Sequence, residues 1–195
     1  MSVDRSTLGK VMVFTGLGKS KTTAAVGQAV RSAGHGLRVR FIQFLKQGYT
    51  GERFILEQLP QVKFSAYGSR CRNWEQHERE IKAGTFQSFC RDCFKPYPED
   101  APRAREGLAE ARRCLSDGSW DLVVLDELTM AIKLGHLKLE EVLSVVGSKA
   151  KHTELIITGR FAPQALLEKA DLVTEMRAVK HYFNKGFMAR KGIEF

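Results

Sequence analysis

The chain has 195 residues, of which 43% are hydrophobic, and it carries a formal net charge of +9. Its length allows one domain, over 1–195, with a sizeable core. The sequence has no apolar run long enough to span a membrane and no signal-peptide core, so we expect a cytoplasmic protein. The excess of positive charge favours an anionic partner, such as a nucleotide, a nucleic acid or an acidic protein.

The first informative stretch joins an apolar run, 11–14, to a glycine-rich turn and then to Lys-Thr-Thr at the start of a helical pattern. This layout is typical of a phosphate-binding loop, where backbone N–H groups and the positive end of a helix face an anion. In that hypothesis Lys21 reaches phosphate oxygens and the Thr22 hydroxyl holds Mg²⁺. The predicted loop residues are Thr15, Gly16, Leu17, Gly18, Lys19, Ser20, Lys21, Thr22 and Thr23.

Two positions depart from the general pattern of such a loop. Glycine normally precedes the lysine, whereas Ser20 stands there, and Thr15 takes the place of the first glycine. A serine N–H can still donate to phosphate, but serine tolerates a positive φ less well than glycine does. A strand-to-helix turn that binds no ligand is the alternative interpretation of this stretch.

Helix and strand patterns alternate along the rest of the chain. Helical patterns cover 21–33, 52–59, 74–83, 103–115, 140–146 and 163–170, and strand patterns cover 37–44, 62–66, 121–127, 154–160 and 172–176. Residues 84–102, with three prolines and two cysteines, predict a loop or an insertion instead. This alternation is typical of an α/β fold with a mainly parallel sheet and helices on both faces.

Two carboxylates, Asp126 and Glu127, follow a run of four apolar residues that predicts a strand buried on both faces. Parallel sheets bind ligands at the carboxyl ends of their strands, where Lys21 and Arg160 also fall. Together with Thr22, the two acids therefore predict a Mg²⁺ (or Mn²⁺) site that faces the phosphate loop. A helix N-cap pair after a core strand is the alternative.

Seven segments carry a family resemblance: 14–25, Gly34-His35-Gly36, Gln43-Phe44-Leu45-Lys46, 123–128, 156–160, 175–181 and the closing Lys-Gly-Ile-Glu-Phe at 191–195. Together they resemble the ATP:corrinoid adenosyltransferases of the CobA/CobO/BtuR type. The resemblance covers nearly the whole chain except about 84–102, and its C-terminal segments are specific.

The resemblance implies a RecA-like P-loop fold and a homodimer. It also implies transfer of the 5′-deoxyadenosyl group of ATP to the Co(I) of a reduced corrinoid, with release of triphosphate, in adenosylcobalamin synthesis or salvage. Electrons would come from a flavodoxin-type or other reductase. Because this reaction needs a stabilised leaving group rather than a general base, we assign the catalytic roles to Lys19, Lys21 and Arg160.

Four residues bear on how closely the chain follows the family. Leu17 and Ser20 stand where the family usually has a polar residue and glycine. The family also uses an aromatic pair to displace the lower ligand of the corrinoid. Trp74 matches one member of that pair, which suggests a corrinoid contact, whereas Arg72 occupies the partner position.

Three other functions are alternatives to adenosyl transfer. An ordinary P-loop ATPase or kinase would release ADP rather than triphosphate. A RecA-like nucleic-acid binder would fit the net charge, but the sequence shows no aromatic and basic stripe for stacking single strands, so we expect no nucleic-acid partner. A non-catalytic carrier of ATP or corrinoid would fit the departures in the loop.

The four cysteines form the last group of candidates. Cys90 and Cys93 have the two-residue gap that lets two thiolates bind one metal, and Cys71 precedes the predicted helix at 74–83. There are three alternatives for these residues. The thiols could be unligated, or Cys90 and Cys93 could form a disulfide. In the third, zinc or an iron–sulfur cluster binds to Cys71, Cys90 and Cys93, with His77 as a further ligand. Cys114 falls one residue off the apolar stripe of a predicted helix, and we expect it in the core, where small cysteines are common.

Overall fold

A six-stranded sheet runs through the middle of the protein, and its neighbouring strands are all parallel. The structure is a computed structural model that describes residues 3–46, 49–95, 97–187 and 189–195. The strands are β1 (Val11–Thr15), β2 (Val39–Phe44), β3 (Val62–Tyr67), β4 (Leu122–Asp126), β5 (Glu154–Thr158) and β6 (Leu172–Glu175). Their order across the sheet is β3-β2-β4-β5-β1-β6, which confirms the predicted α/β fold.

Helices connect the strands in alternation. They are α1 (Lys21–Gly34), α2 (Gly51–Leu56), α3 (Trp74–Lys82), α4 (Asp100–Ser116), α5 (Leu128–Lys133), α6 (Leu139–Gly147) and α7 (Gln164–Leu167), with short 3-10 helices at Arg5–Thr7, Arg91–Phe94 and Tyr182–Lys185. None of these described helices is long and apolar enough to cross a membrane.

The stretch predicted as an insertion contains one 3-10 helix before α4 begins, three residues earlier than predicted. The buried Asp100 carboxylate accepts hydrogen bonds from the backbone N–H groups of Tyr97 and Ser69, and so fixes the entry to α4. Pro102 fits the first turn because backbone N–H groups there have no partner within the helix. Pro102 therefore belongs to the start of the helix rather than to the end of the loop.

Each face of the sheet is covered by its own apolar layer. Alanines of α1, at positions 25, 29 and 33, pack on one face against Phe41 and Val124. Helices α4 to α7 cover the other face, where Leu108 and Val145 pack among residues of β1, β2, β4 and β5. β4 is buried along its whole length, as its apolar run predicted. The sheet therefore presents only its edges and strand ends to ligands.

A charged side chain lies inside the α4 face. The Arg40 guanidinium of β2 is 0% exposed, and it donates to Lys63 O, Ser65 Oγ and the Glu110 carboxylate of α4. Glu110 also accepts a hydrogen bond from the Tyr67 hydroxyl. Burial, together with that hydrogen bond, raises the pKa of Tyr67 to about 12. A buried charge is tolerated here because partners surround it.

We expect Glu110→Gln to lower the free energy of unfolding by about 3–5 kcal/mol, because it leaves Arg40 buried without a counter-charge. Urea unfolding followed by circular dichroism measures the loss. Glu106→Gln changes an exposed carboxylate of the same helix and should stay within about 0.5 kcal/mol of the wild type. Equal stability of the two variants would show that the buried ion pair is not needed.

Candidate active site

The carboxyl ends of β1, β4 and β5 are adjacent, and the predicted phosphate loop lies over them between β1 and α1. No residue that the structure describes accepts a hydrogen bond from the backbone N–H groups of Lys19, Ser20 or Lys21. These groups stand at the N-terminus of α1, where the helix dipole adds positive potential. The loop therefore offers donors to an anion.

The conformation of the loop depends on two residues with positive φ. At Gly16, where φ is +99°, a Cβ atom would lie 2.5 Å from Met176 O, so this position requires glycine. Gly18 N donates to the same carbonyl at 2.7 Å, which ties the loop to the end of β6. Ser20 has a φ of +88°, so the serine that replaces the usual glycine adopts a left-handed backbone at a cost.

Lys21 is buried beneath the loop. Its Nζ donates to Gly16 O at 2.8 Å and to Gly18 O at 2.6 Å, and the residue is only 6% exposed. Burial lowers the pKa of this ammonium group, although the nearby Glu127 carboxylate acts in the opposite direction. The ammonium group is thus held at the centre of the loop, where it can exchange carbonyl partners for phosphate oxygens.

The Asp126 carboxylate at the end of β4 is 0% exposed and has partners on three neighbouring elements. Its Oδ1 accepts from Thr22 Oγ1 at 2.8 Å and from Thr158 Oγ1 at 2.6 Å. Its Oδ2 accepts from Gln43 Nε2 at 3.0 Å and pairs with Lys46 Nζ at 3.1 Å. Burial alone would raise the pKa of Asp126, but these partners outweigh it and lower the pKa.

Glu127 follows directly, with a φ of +60°, and forms the N-cap position of α5. Burial and the adjacent Asp126 charge raise the pKa of Glu127 above its ordinary value. Thr22 and Glu127 line the same cavity, and Asp126 is hydrogen-bonded to Thr22 behind it. The structure therefore brings the three predicted metal ligands together, which a simple N-cap pair would not require.

A cavity of about 530 Å³ opens above the loop. Of the predicted site residues, it is lined by Leu17, Gly18, Lys19, Ser20, Lys21, Thr22, Thr23, Glu127 and Arg160. Thr15, Gly16 and the buried Asp126 do not line this cavity. The predicted nucleotide residues thus form one wall of a single cavity.

The opposite wall comes from the C-terminal segment, which sequence reasoning did not assign to the site. His181, Tyr182 and the segment 192–195 line the cavity. Lys19 Nζ donates to Glu194 Oε1 at 2.9 Å and to the backbone O of the preceding residue at 3.0 Å. Lys19, predicted to face phosphate, is therefore engaged by the C-terminal segment in this structure.

Lys46 was not predicted as a site residue either. Its Nζ lies 3.1 Å from both Thr22 Oγ1 and Asp126 Oδ2. Lys46 comes two residues after the end of β2, at the same edge of the sheet as Asp126. The rule that ligands bind at the carboxyl ends of parallel strands would have found it, as it would have found Gln43 and Thr158.

A second cavity, of about 220 Å³, adjoins the first. The two share Lys46, Glu52, Glu194 and Phe195 as lining residues. Rings and aliphatic side chains form most of the remaining wall, including Leu45, Tyr49 and Phe89. A cavity over the loop therefore opens beside a more apolar one.

Trp74 begins α3 and lines neither of these cavities. Its ring lies under the Arg70 guanidinium, 5.4 Å from the ring centroid, and edge-on to His77 at 6.5 Å. Arg72 is exposed, and its backbone N–H lies 3.4 Å from the Tyr97 hydroxyl. The predicted corrinoid contact of Trp74 stays a prediction.

The structure brings three of the four cysteines together beside Trp74. The Sγ atoms of Cys71 and Cys90 are 4.0 Å apart, those of Cys90 and Cys93 are 3.7 Å apart, and those of Cys71 and Cys93 are 3.3 Å apart. All four cysteines are free thiols, and Cys114 is buried in the α4 face of the core, as predicted.

Comparison with known proteins gives a consistent result over almost the full length. The family model for ATP:corrinoid adenosyltransferase BtuR/CobO/CobP matches residues 7–195. The corrinoid adenosyltransferase of Escherichia coli K12 is 38% identical over 96% of this chain and 86% of its own length. Corrinoid adenosyltransferase CobA of Salmonella typhimurium is 37% identical, again over 96% of this chain and 86% of its own length. The corrinoid adenosyltransferase of Pseudomonas aeruginosa is 34% identical over 98% of this chain and 86% of its own length. Because this family model matches nearly the whole chain, the chain belongs to the ATP:corrinoid adenosyltransferase family BtuR/CobO/CobP.

Proposed function

We propose that this protein transfers the 5′-deoxyadenosyl group of ATP to the Co(I) of a reduced corrinoid and releases triphosphate. The observation that carries the proposal is the pairing of the two cavities, one over a phosphate loop and one with an apolar wall. ATP would bind over the loop and the corrinoid would approach from the apolar side. The names of the relatives support the same activity.

The reaction fits the groups that the site offers. Reduced cobalt supplies both electrons of the new Co–C bond, the C5′–O bond of ATP breaks, and triphosphate leaves with the electron pair of that bond. No general base is needed, so the protein has to align the ribose carbon and neutralise the leaving group. Lys21 and Arg160, which line the cavity, and the loop N–H groups would serve the second task.

The side chains near the loop also fit a divalent cation. Thr22, Asp126 and Glu127 supply only oxygen donors, which Mg²⁺ prefers. Burial and the Asp126 charge raise the pKa of Glu127, which means that they destabilise its charged form. A nearby cation would stabilise that charged form. We propose that these residues hold Mg²⁺ against the triphosphate, where it would neutralise charge on the leaving group.

Product analysis separates this activity from the alternatives. Chromatography after incubation with ATP and chemically reduced cobalamin should detect adenosylcobalamin and triphosphate. An ATPase or kinase would give ADP, a carrier would give no product, and a nucleic-acid binder would bind labelled RNA or DNA in a salt-dependent way. Any of these three results without adenosylcobalamin would overturn the proposed function.

We further propose a homodimer that receives electrons from a flavodoxin-type or other reductase in the cytoplasm, as the resemblance implies. All four residues of β6, at the edge of the sheet, are exposed and available to a second copy. Light scattering coupled to size-exclusion chromatography tests the dimer, and a mass that corresponds to one chain would count against it.

Lys21→Ala should reduce the adenosylation rate by about 100-fold or more, since loss of charge at a leaving group costs about 3 kcal/mol. The rate with chemically reduced cobalamin at saturating ATP is the measurement. Lys151→Ala, which changes an exposed lysine, should keep the wild-type rate. Comparable rates in the two variants would exclude Lys21 from the chemistry.

Glu127→Gln should raise the Mg²⁺ concentration needed for half-maximal activity by about 10-fold or more, because a carboxylate ligand is lost. The exposed Glu140 provides the control variant Glu140→Gln, and circular dichroism checks that both remain folded. Full wild-type activity in EDTA would rule out the metal site altogether.

Ser20→Gly should stabilise the protein by about 0.5–1 kcal/mol and leave ATP binding equal or tighter, because glycine adopts the observed positive φ without strain. Thermal unfolding and ATP titration by calorimetry measure both effects. Ser20→Ala keeps the strain but removes the hydroxyl, so weaker ATP binding in both variants would reveal a specific role for that hydroxyl instead.

A further inference from the structure

The described residues contain a cluster of four side chains that the adenosyl-transfer chemistry does not use. Cys71, His77, Cys90 and Cys93 each offer one ligand atom, and these atoms all lie within 4.8 Å of one another. The residues come from the turn before α3, from α3 itself and from the 3-10 helix at Arg91–Phe94. We propose that they bind one Zn²⁺ ion as a closed, tetrahedral, structural site.

The sulfur positions match the geometry of a single ion. Four ligands around zinc, with Zn–S bonds of about 2.3 Å, place neighbouring sulfurs about 3.8 Å apart. The three observed Sγ separations of 3.3, 3.7 and 4.0 Å cluster around that value. Three uncharged thiols would gain little from such close approach, because S–H groups are weak hydrogen-bond donors.

His77 is the second, independent observation. The residue is only 5% exposed, and neither ring nitrogen has a hydrogen-bond partner among the described residues, since the Glu80 carboxylate approaches Nδ1 only to 3.7 Å. Trp74, Phe86 and Phe89 contact the imidazole ring edge-on, which fixes its plane. A buried ring nitrogen without a partner is costly, and a metal ion removes that cost.

The donor set selects zinc over the alternatives. Three thiolates and one imidazole form a soft set that favours zinc over magnesium or calcium. Iron–sulfur clusters usually take four cysteines, and their several irons and sulfides hold the thiolates further apart than one ion does. Four protein ligands complete a zinc tetrahedron and leave no position for water, so the site is structural rather than catalytic.

Hydrogen bonds from neighbouring groups also orient the cysteines of the cluster. The Asn73 side-chain amide donates to Cys90 Sγ at 3.5 Å, and Cys93 N donates to Cys90 O at 3.1 Å in a tight turn. Hydrogen bonds of this kind orient metal ligands and stabilise thiolates. They also position Cys90 and Cys93 for one ion, as their two-residue gap predicts.

The site has a structural task that follows from its position. Between the end of α3 and the start of α4, the described backbone forms only the short 3-10 helix. Phe89 and Cys93 in this segment line the apolar cavity, and Phe89 packs against Phe195 at 4.6 Å between ring centroids. Zinc would therefore fix one wall of the second cavity. The binding of zinc does not depend on the proposed function.

Elemental analysis of protein purified without added metal tests the proposal directly. We expect about one zinc per chain and no stoichiometric iron. Cys90→Ser and Cys93→Ser should each lose most of the zinc, whereas Cys114→Ser, a buried cysteine outside the cluster, should retain it. A zinc content below about one tenth of an equivalent, or bound iron with visible absorption, would overturn the proposal.

Wild-type protein supplies a test that does not depend on the folding of the variants. Zinc should be released when a thiol reagent modifies three cysteines, and chelation should lower Tm by more than about 4 °C. After chelation, proteolysis should begin within 83–99 while ATP binding at the loop is retained. A Cys90–Cys93 disulfide in mass spectra of freshly purified protein, or an unchanged Tm after zinc removal, would contradict the site.

Discussion

The buried carboxylate of Asp126 receives hydrogen bonds from α1, β2 and β5 at the point where their ends meet. Because it is inaccessible to water, each of its lone pairs needs a protein partner, and together these partners fix the relative positions of three elements. Thr22 is oriented through this group, and Lys46 is held beside it by charge. Geometry at the loop therefore depends on one buried negative charge in the sheet.

Local sequence patterns were sufficient to predict most of the architecture. Apolar runs gave β1 and β4, and the alternation of strand and helix patterns along the chain gave a parallel sheet covered on both faces. The phosphate loop and the Asp126–Glu127 pair were also predictable, because each lies within one strand–turn–helix unit. Element ends were less certain, as α4 shows, since its first residue is set by hydrogen bonds to Tyr97 and Ser69.

The features that escaped prediction depend on contacts between distant parts of the chain. The burial of Arg40 depends on Glu110, 70 residues away, which pairs with its guanidinium in the interior. The position of Tyr182 in the cavity likewise follows from packing. Periodicity within a segment carries no information about such pairings, whereas rules on strand ends recover part of it.

The contact between Lys19 and Glu194 joins residues 175 positions apart. Because residues 190–195 lie outside the helices and strands and are held mainly by side-chain contacts, such as this ion pair and the Phe89–Phe195 ring contact, this wall of the cavity should open locally without unfolding of the sheet. Amide hydrogens of 190–195 should then exchange much faster than those of β4, and bound nucleotide should slow them. The C-terminal segment would then open and close over a rigid sheet, so that substrate entry and product release need no movement of the sheet.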